Sequence, residues 1–264
     1  MNNISNQLKH FAETELVLVR SETERASIQR SLEHLEKVIR NRLGNQITEI
    51  LRFGSYTRGT ILPRKYDSLS DVDLMIVFDK VNWDRNHGTY RKWLLEEIGN
   101  SYPNSYVQKS FPTVRLELNH IMFDLVPAYV QGSYYKTYHI PASGDRWRTT
   151  APNDINETLE RKKRDYPDSL VLNTIRLCKH WNASWNYPYE SYLLEKEVLN
   201  SSYYYLDDLF EAFIRVLGSV ARTHNGAIQA INYIKQYKGR SWQQPDFQKR
   251  NQWLIKLLPG FNPI

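Results

Sequence analysis

Residues 47–78 read ITEILRFGSYTRGTILPRKYDSLSDVDLMIVF, and the prediction of the fold starts from this stretch. Its first seven residues are rich in branched apolar side chains, which is typical of a short strand, and the run ends at Gly54. A second run, from Val72 to Phe78, is apolar except for Asp73, as expected for a strand that is buried on both faces. The stretch therefore predicts two strands of one sheet, separated by a Gly-Ser turn and a polar loop.

Two aspartates open the second strand. Asp71 and Asp73 are two positions apart, so their side chains point to the same face of the strand. Carboxylates this close repel each other unless a cation lies between them. Oxygen ligands without cysteine or clustered histidine favour Mg²⁺ or Mn²⁺ over Zn²⁺. A third carboxylate, Asp124, lies on a later strand predicted over residues 120–126 and joins the cluster if that strand pairs beside the first.

The Gly-Ser turn supplies the features of a phosphate site. Gly54 allows the backbone to approach a phosphate closely, and Ser55 offers a hydroxyl and an N–H where a helix is predicted to begin. Arg58 follows one turn later. A Gly-Ser pair alone is usually a turn, and an isolated Asp-x-Asp pair is usually two solvated or capping residues. Their order along the chain, followed by Asp124, favours a functional site.

The flanking sequence divides into a strand-rich half and a helical half. Upstream, apolar residues at helical spacing predict one long amphipathic helix or two shorter ones that end near Gly44. Downstream, strands are predicted over residues 106–108 and 113–118, before the strand that carries Asp124. From about Asp154 the apolar spacing is helical, with Val171, Ile175 and Cys178 on one face. An α+β fold is therefore predicted, with a boundary near residue 150.

The composition is that of a folded protein with a mild excess of positive charge. The chain has 264 residues, of which 41% are hydrophobic, and a formal net charge of +6. This charge suits a nucleoside triphosphate or a nucleic acid. The single cysteine, Cys178, excludes an internal disulfide framework and a cysteine-based zinc site, and it fits a reducing compartment. The N-terminus lacks the apolar core of a signal peptide, so we expect a cytoplasmic protein without a membrane partner.

These motifs together resemble the DNA polymerase β-like nucleotidyltransferase superfamily. GSYTRGT and SDVDLMIVF are similar to its Gly-Ser turn and paired-aspartate strand, and FDLVPAY is similar to the third-aspartate strand of its template-independent branch. That branch includes archaeal tRNA CCA-adding enzymes, oligoadenylate synthetases, cyclic GMP–AMP synthase and, as the nearest resemblance, the bacterial cGAS/DncV-like nucleotidyltransferases. IRLCKHWN and ESYLLE further resemble a helix and a Ser-Tyr pair of the bacterial group.

The resemblance implies an organisation and a set of roles. Residues 1–150 would hold an N-terminal helix and a polymerase β-like catalytic core with a mixed twisted sheet, and residues 151–264 a helical nucleotide-binding lobe. The active site would lie in the cleft between them. The resemblance implies that Asp71, Asp73 and Asp124 would hold two Mg²⁺ or Mn²⁺ ions. Gly54, Ser55 and Arg58 would bind the triphosphate, and Lys179 and Ser191 would contact its β- and γ-phosphates. The donor base would stack on Tyr192.

Several functions remain open at this level. The first is synthesis of cyclic or linear oligonucleotide second messengers from NTPs, with ATP among the substrates, in antiphage signalling of the CBASS type. The alternatives are addition of nucleotides to the 3′ end of tRNA or another RNA, transfer of AMP to a protein, and nucleotide binding without catalysis. Residues 161–164, RKKR, are either part of an RNA-binding track or a solvated helix face. An activating RNA or a regulatory protein is a further expected partner.

Overall fold

The structure is a computed structural model that describes residues 4–18, 22–132, 134–166, 169–237 and 244–263. Its contacts separate the chain into two compact units. One comprises residues 19–64 and 69–154, and the other residues 1–18, 65–68 and 155–264. By contacts, residues 1–18 therefore group with the C-terminal helices. As a division into domains, the boundary expected near residue 150 stays a prediction.

The first unit contains the sheet and three helices within its described residues. In chain order its elements are α2 (Glu22–Leu43), a 3₁₀ turn (Gly44–Gln46), β1 (Ile47–Phe53), α3 (Gly54–Arg58), β2 (Asp71–Phe78), α4 (His87–Ser101), β3 (Tyr106–Ser110), β4 (Thr113–Glu117), β5 (Met122–Gln131), β6 (Thr137–Pro141) and β7 (Trp147–Thr150).

The sheet of this unit is mixed. Its strand order is β1-β2-β5-β4-β3, with β6 paired to β5 and β7 paired to β6. Strands β2 and β5 are parallel, whereas the other pairs are antiparallel. The predicted α+β class with a mixed sheet is confirmed. Because β2 and β5 run in the same direction, residues near their starts lie at the same edge of the sheet.

The apolar part of strand β2 is buried. From Leu74 to Phe78 every residue is buried. On one face Met75 and Val77 pack with Val126, Ala128 and Ile140 in a single apolar cluster. The two aspartates lie at the opposite end of the strand, where the side chains are half-buried. The packed part of β2 thus anchors a more accessible end that carries the charges.

The sequence-based prediction of the sheet differs from the structure in β5 and in the two strands that follow it. The strand expected over residues 120–126 begins at Met122 and continues to Gln131. Pro127 lies within this strand because the fixed φ of proline is compatible with an extended backbone. Strands β6 and β7 were not predicted, because each is short and mixes polar with aromatic residues.

The second unit is helical. Its helices are α1 (Ile4–Thr14), α5 (Asn156–Asp165), α6 (Leu170–Ser184), α7 (Ser191–Asn200), α8 (Leu209–Val220), α9 (Asn225–Gln236) and α10 (Gln244–Leu257). The N-terminal segment therefore forms two separate helices, α1 and α2, which was one of the two alternatives. Helix α6 is buried around almost its whole circumference rather than on the predicted face alone, including the charged residues Arg176 and Lys179.

Among the described residues, no helix combines the length and the apolar character needed to cross a lipid bilayer.

The buried part of β2 should dominate the stability of the sheet unit. Ile76 is fully buried, so Ile76→Ala should lower the free energy of unfolding by about 3 kcal/mol through lost transfer energy and a residual cavity. The control Val81→Ala, at a position that is 92% exposed, should change it by less than about 0.5 kcal/mol. Urea denaturation of both variants measures the difference, and equal losses would contradict the assignment of β2 to the core.

Candidate active site

The parallel pairing of β2 and β5 brings the three predicted aspartates together. Asp73 and Asp124 are direct cross-strand partners, and Asp71 is two positions earlier on β2. One carboxylate oxygen from each of the three residues lies within 4.8 Å of those from the other two. Asp124 is buried, with 8% of its surface exposed, while Asp71 and Asp73 are half-buried. Asp124 was expected to join Asp71 and Asp73 if their strands pair, and the structure shows this pairing. The catalytic role of the three aspartates stays a prediction.

The cluster fits a hard divalent cation. All of its donors are carboxylate oxygens, the type of ligand that Mg²⁺ and Mn²⁺ prefer, and they are close enough for one ion to contact more than one residue. Three carboxylates at this separation repel one another strongly, particularly where one of them is removed from water. A bound cation would remove that repulsion.

Gly54 lies directly against Asp73. Its φ of +77° is in the left-handed region, and an added Cβ would lie 1.8 Å from Asp73 Oδ2. The preceding residue, Phe53, is the cross-strand partner of Asp73. Glycine is therefore required here for two physical reasons, the backbone conformation and the space that the carboxylate takes. The sequence alone had suggested only an approach to phosphate.

Helix α3 begins at Gly54, as the Gly-Ser turn predicted, and is short. Ser55 is its second residue and is half-buried. The helix ends at Gly59, whose φ of +69° forms a left-handed C-cap. The Ser55 carbonyl accepts hydrogen bonds from the backbone N–H groups of Thr60 (3.0 Å) and Ile61 (3.1 Å). Arg58 is in the last turn, half-buried. The Gly-Ser segment is thus held rigidly beside the aspartates.

Arg115 is a member of the cluster that the sequence did not identify. Its Nε donates to Asp124 Oδ1 at 2.7 Å and its Nη2 to Asp124 Oδ2 at 2.8 Å, which is a bidentate pair. Nη2 is also 3.7 Å from Asp71 Oδ2. The hydrogen bonds to Asp124 raise the pKa of the Arg115 guanidinium above its ordinary value. The alternation of residues in β4 had marked Arg115 only as part of a polar face.

The three ligand residues expected after residue 150 lie in the helical unit. Lys179, on α6, is 5% exposed, and its Nζ is 3.8 Å from Oε2 of Glu195, which is also buried. Ser191 is the exposed first residue of α7. Tyr192 follows it, with 39% of its surface exposed. Lys179 and Ser191 as phosphate ligands, and Tyr192 as a base platform, stay predictions.

Part of the basic run at residues 161–164 makes contacts within the helical unit. Lys162 donates a hydrogen bond to the Ser201 carbonyl at 2.8 Å, and its Nζ lies 4.8 Å from the centre of the Tyr203 ring. Burial lowers the pKa of Lys162 below its ordinary value. Lys163 forms an ion pair with Glu160 at 2.8 Å. Two of the four cations therefore serve contacts within the helical unit.

Comparison with known families gives an independent result. Residues 2–162 match the model of the Second Messenger Oligonucleotide or Dinucleotide Synthetase domain, which is more than half of the chain.

Two curated relatives are similar over part of their lengths. A probable cyclic nucleotide synthase of Bacillus cereus (strain VD146) is 30% identical over 189 residues, which is 58% of this chain and 55% of that protein. The CBASS oligonucleotide cyclase CdnC of Escherichia coli (strain KTE188) is 26% identical over 202 residues, covering 72% of this chain and 63% of that protein. The chain thus spans between about half and two thirds of the length of these relatives.

A solved structure shares the fold. CdnC of E. coli MS115-1, described in complex with HORMA-deltaN and also with ATP, superposes with a TM-score of 0.68 at 17% identity. In the HORMA complex the match covers 98% of each chain. At this level of identity the likeness establishes the fold.

The contact between Gly54 and Asp73 can be tested by adding one methyl group. Gly54→Ala should lower the free energy of unfolding by about 3 kcal/mol, because the new Cβ collides with the carboxylate and the positive φ is strained.

Gly144→Ala is the matched control, since Gly144 has a φ of +70° and no atom within 4 Å of a Cβ added there. Gly144→Ala should lower the free energy of unfolding by only about 1 kcal/mol, because only the positive φ is unfavourable there. Guanidinium denaturation of the two variants provides the comparison, and equal losses would show that Asp73 does not occupy the space above Gly54.

Proposed function

The chain belongs to the Second Messenger Oligonucleotide or Dinucleotide Synthetase family, and from that premise we propose that it joins nucleoside triphosphates into cyclic or linear oligonucleotide signals. The observation that carries the proposal is the cluster of Asp71, Asp73 and Asp124 beside the Gly54-Ser55 turn. The names of the two curated relatives support the same reaction, and the CBASS name of one of them supports a role in antiphage signalling.

In the proposed reaction a hydroxyl of one nucleotide forms a bond to the α-phosphate of a nucleoside triphosphate, the α–β phosphoanhydride bond breaks and pyrophosphate leaves. The three aspartates would hold two divalent ions, Mg²⁺ or Mn²⁺. Such ions, when bound, lower the pKa of an attacking hydroxyl and neutralise charge on the triphosphate. Asp124 contributes a carboxylate whose orientation is set by its bidentate contact with Arg115. The Asp73 carboxylate lies directly against Gly54, which limits the space that it can occupy. The chain thus presents its carboxylates already ordered, which reduces the reorganisation needed at reaction.

The triphosphate is proposed to lie along the Gly-Ser segment. Gly54 is buried against Asp73, and the half-buried Ser55 that follows it offers a hydroxyl and an N–H in the first turn of α3. Arg58, in the last turn of the same helix, supplies a positive charge. Lys179 and Ser191 would contact the β- and γ-phosphates. Because the Lys179 ammonium lies near Glu195, this role requires that it share or exchange that partner on binding.

The donor base is proposed to stack on Tyr192. Its ring is 39% exposed, and the Nζ of Lys196 lies 5.8 Å from the ring centre. An exposed aromatic face accepts any base, so this residue provides affinity rather than base selection. The ATP complex of the E. coli relative supports ATP as one substrate, and its HORMA complex supports a regulatory protein as a partner. A cytoplasmic location is part of the proposal and agrees with the single, buried cysteine Cys178.

Product analysis tests the reaction. The purified chain, incubated with Mg²⁺ or Mn²⁺ and all four NTPs, should form oligonucleotides that mass spectrometry identifies after phosphatase treatment. The Asp71→Ala, Asp73→Ala double variant should lose activity about 10³-fold or more, because the transition-state charge is no longer stabilised. Asp145→Ala, which removes an exposed aspartate from the same unit, is the control and should remain active.

The same reactions should be repeated with RNA and with the regulatory protein partner added. Absence of any oligonucleotide under all these conditions would contradict the proposal. Labelled RNA 3′ ends or AMP-modified protein in place of oligonucleotides would indicate one of the alternative transferase reactions.

The stacking role of Tyr192 makes a separate prediction. Tyr192→Ala should raise the KM for ATP by roughly 5- to 100-fold, since base–aromatic stacking contributes about 1–3 kcal/mol. Tyr192→Phe should retain near-normal KM because the ring is preserved. Tyr205→Ala, at a tyrosine of the same unit that is 74% exposed, should leave KM unchanged. A KM that is the same in Tyr192→Ala and Tyr205→Ala would exclude the stacking role.

A further inference from the structure

The aspartate cluster already contains one cation, which the protein itself supplies. The guanidinium of Arg115 forms two hydrogen bonds with Asp124, of 2.7 and 2.8 Å, and approaches Asp71 to 3.7 Å. It therefore contacts two of the three proposed metal ligands. Its side chain is 23% exposed, so the pair is partly removed from water and the attraction is only moderately screened.

The position of Arg115 follows from strand register. Arg115 on β4 and Asp124 on β5 are direct partners in the antiparallel pair. On its other side, Asp124 is the direct partner of Asp73 in the parallel pair. The Asp124 side chain is thus flanked within one sheet by a positive and a negative neighbour. A one-residue shift in either pair would separate these charges, because successive side chains alternate between faces.

We propose that Arg115 is the resident counter-cation of the aspartate cluster: it holds Asp124 in position when no metal ion is bound and shares that carboxylate with an ion that arrives. Arg115 is thereby a positioning residue, acting through Asp124. This inference rests on the proposed function, since it concerns the same metal site.

The chemistry of the contact supports sharing. A carboxylate has about four lone-pair sites, and the bidentate contact with Arg115 uses one on each oxygen. Asp124 therefore keeps acceptor capacity for an ion on its side toward Asp73. Two cations close to one carboxylate repel each other, so Arg115 and the ion weaken each other's binding, and this coupling is reciprocal.

A second pair in the same unit provides a matched comparison. Arg52 also makes a bidentate contact, with Glu36 at 2.6 and 2.9 Å. Glu36 is not a member of the aspartate cluster. If Arg115 served only to fasten the fold, its replacement should behave like replacement of Arg52. If it compensates the cluster, the effect of its replacement should depend on divalent metal.

The experiment measures the thermal midpoint Tm of the full chain in EDTA and in excess Mn²⁺. The variants are Arg115→Met, Arg115→Lys and, as control, Arg52→Met. In EDTA, Arg115→Met should lose about 5 °C or more relative to wild type, because the buried Asp124 carboxylate loses its bidentate cationic partner beside two other aspartates. Mn²⁺ should restore at least half of that loss. Arg115→Lys retains the positive charge but cannot make the bidentate contact, so its Tm in EDTA should lie between those of wild type and Arg115→Met.

Direct Mn²⁺ binding, followed by the electron paramagnetic resonance of the free ion, provides a second readout. Arg115→Met should bind Mn²⁺ about fivefold or more tightly than wild type, because the competing cation has been removed. Arg52→Met should bind with wild-type affinity and show the same change in Tm with and without Mn²⁺. If Arg115→Met does not fold, Arg115→Lys decides the question through the same two measurements.

The inference would be overturned if Arg115 variants lost the same Tm in EDTA and in Mn²⁺ and bound Mn²⁺ with wild-type affinity. That result would leave the proposed function intact. A wild-type protein that binds Mn²⁺ with the predicted response to Arg115 but forms no oligonucleotide would overturn the proposed function alone. A wild-type protein that binds no Mn²⁺ would overturn both.

Discussion

Mutual repulsion between Asp71, Asp73 and Asp124 is the constraint on which this structure depends, since one carboxylate oxygen from each lies within 4.8 Å of those from the other two. Carboxylates so close, one of them buried, are stable only beside positive charge. The fold tolerates the cluster because the rest of β2 is tightly packed and keeps the strand end in place. Arg115 supplies one positive charge from within the sheet, and the carboxylate oxygens of the cluster are ligands that suit a divalent ion.

The sequence predicted those parts of the site that depend on local periodicity. Spacing by two placed Asp71 and Asp73 on one face, and the all-apolar run after them indicated a buried central strand. The contribution of Asp124 depended on which strands pair, and Arg115 depended on register between β4 and β5. Neither pairing nor register is encoded within one segment, because each is set by how the whole sheet packs. The pair of Lys179 with Glu195 was not predicted for the same reason, because the two residues lie on different helices.

Gly54 shows how one residue can satisfy a structural and a functional requirement together. A left-handed φ and contact with the Asp73 carboxylate both demand the absence of a side chain at this position. The same absence lets the Gly-Ser segment, which is the proposed triphosphate site, lie directly beside the aspartates. The proposed metal chemistry therefore depends on a few residues where β2 and β5 begin, while the family match and the shared fold define the scaffold that presents them.

The most direct test of the central claim is the anomalous scattering of Mn²⁺ in crystals grown with a non-hydrolysable ATP analogue. The account predicts manganese bound by oxygens of Asp71, Asp73 and Asp124 at about 2.2 Å, with the triphosphate against Gly54 and Ser55. Manganese bound elsewhere, with the three carboxylates contacting only protein atoms, would contradict it.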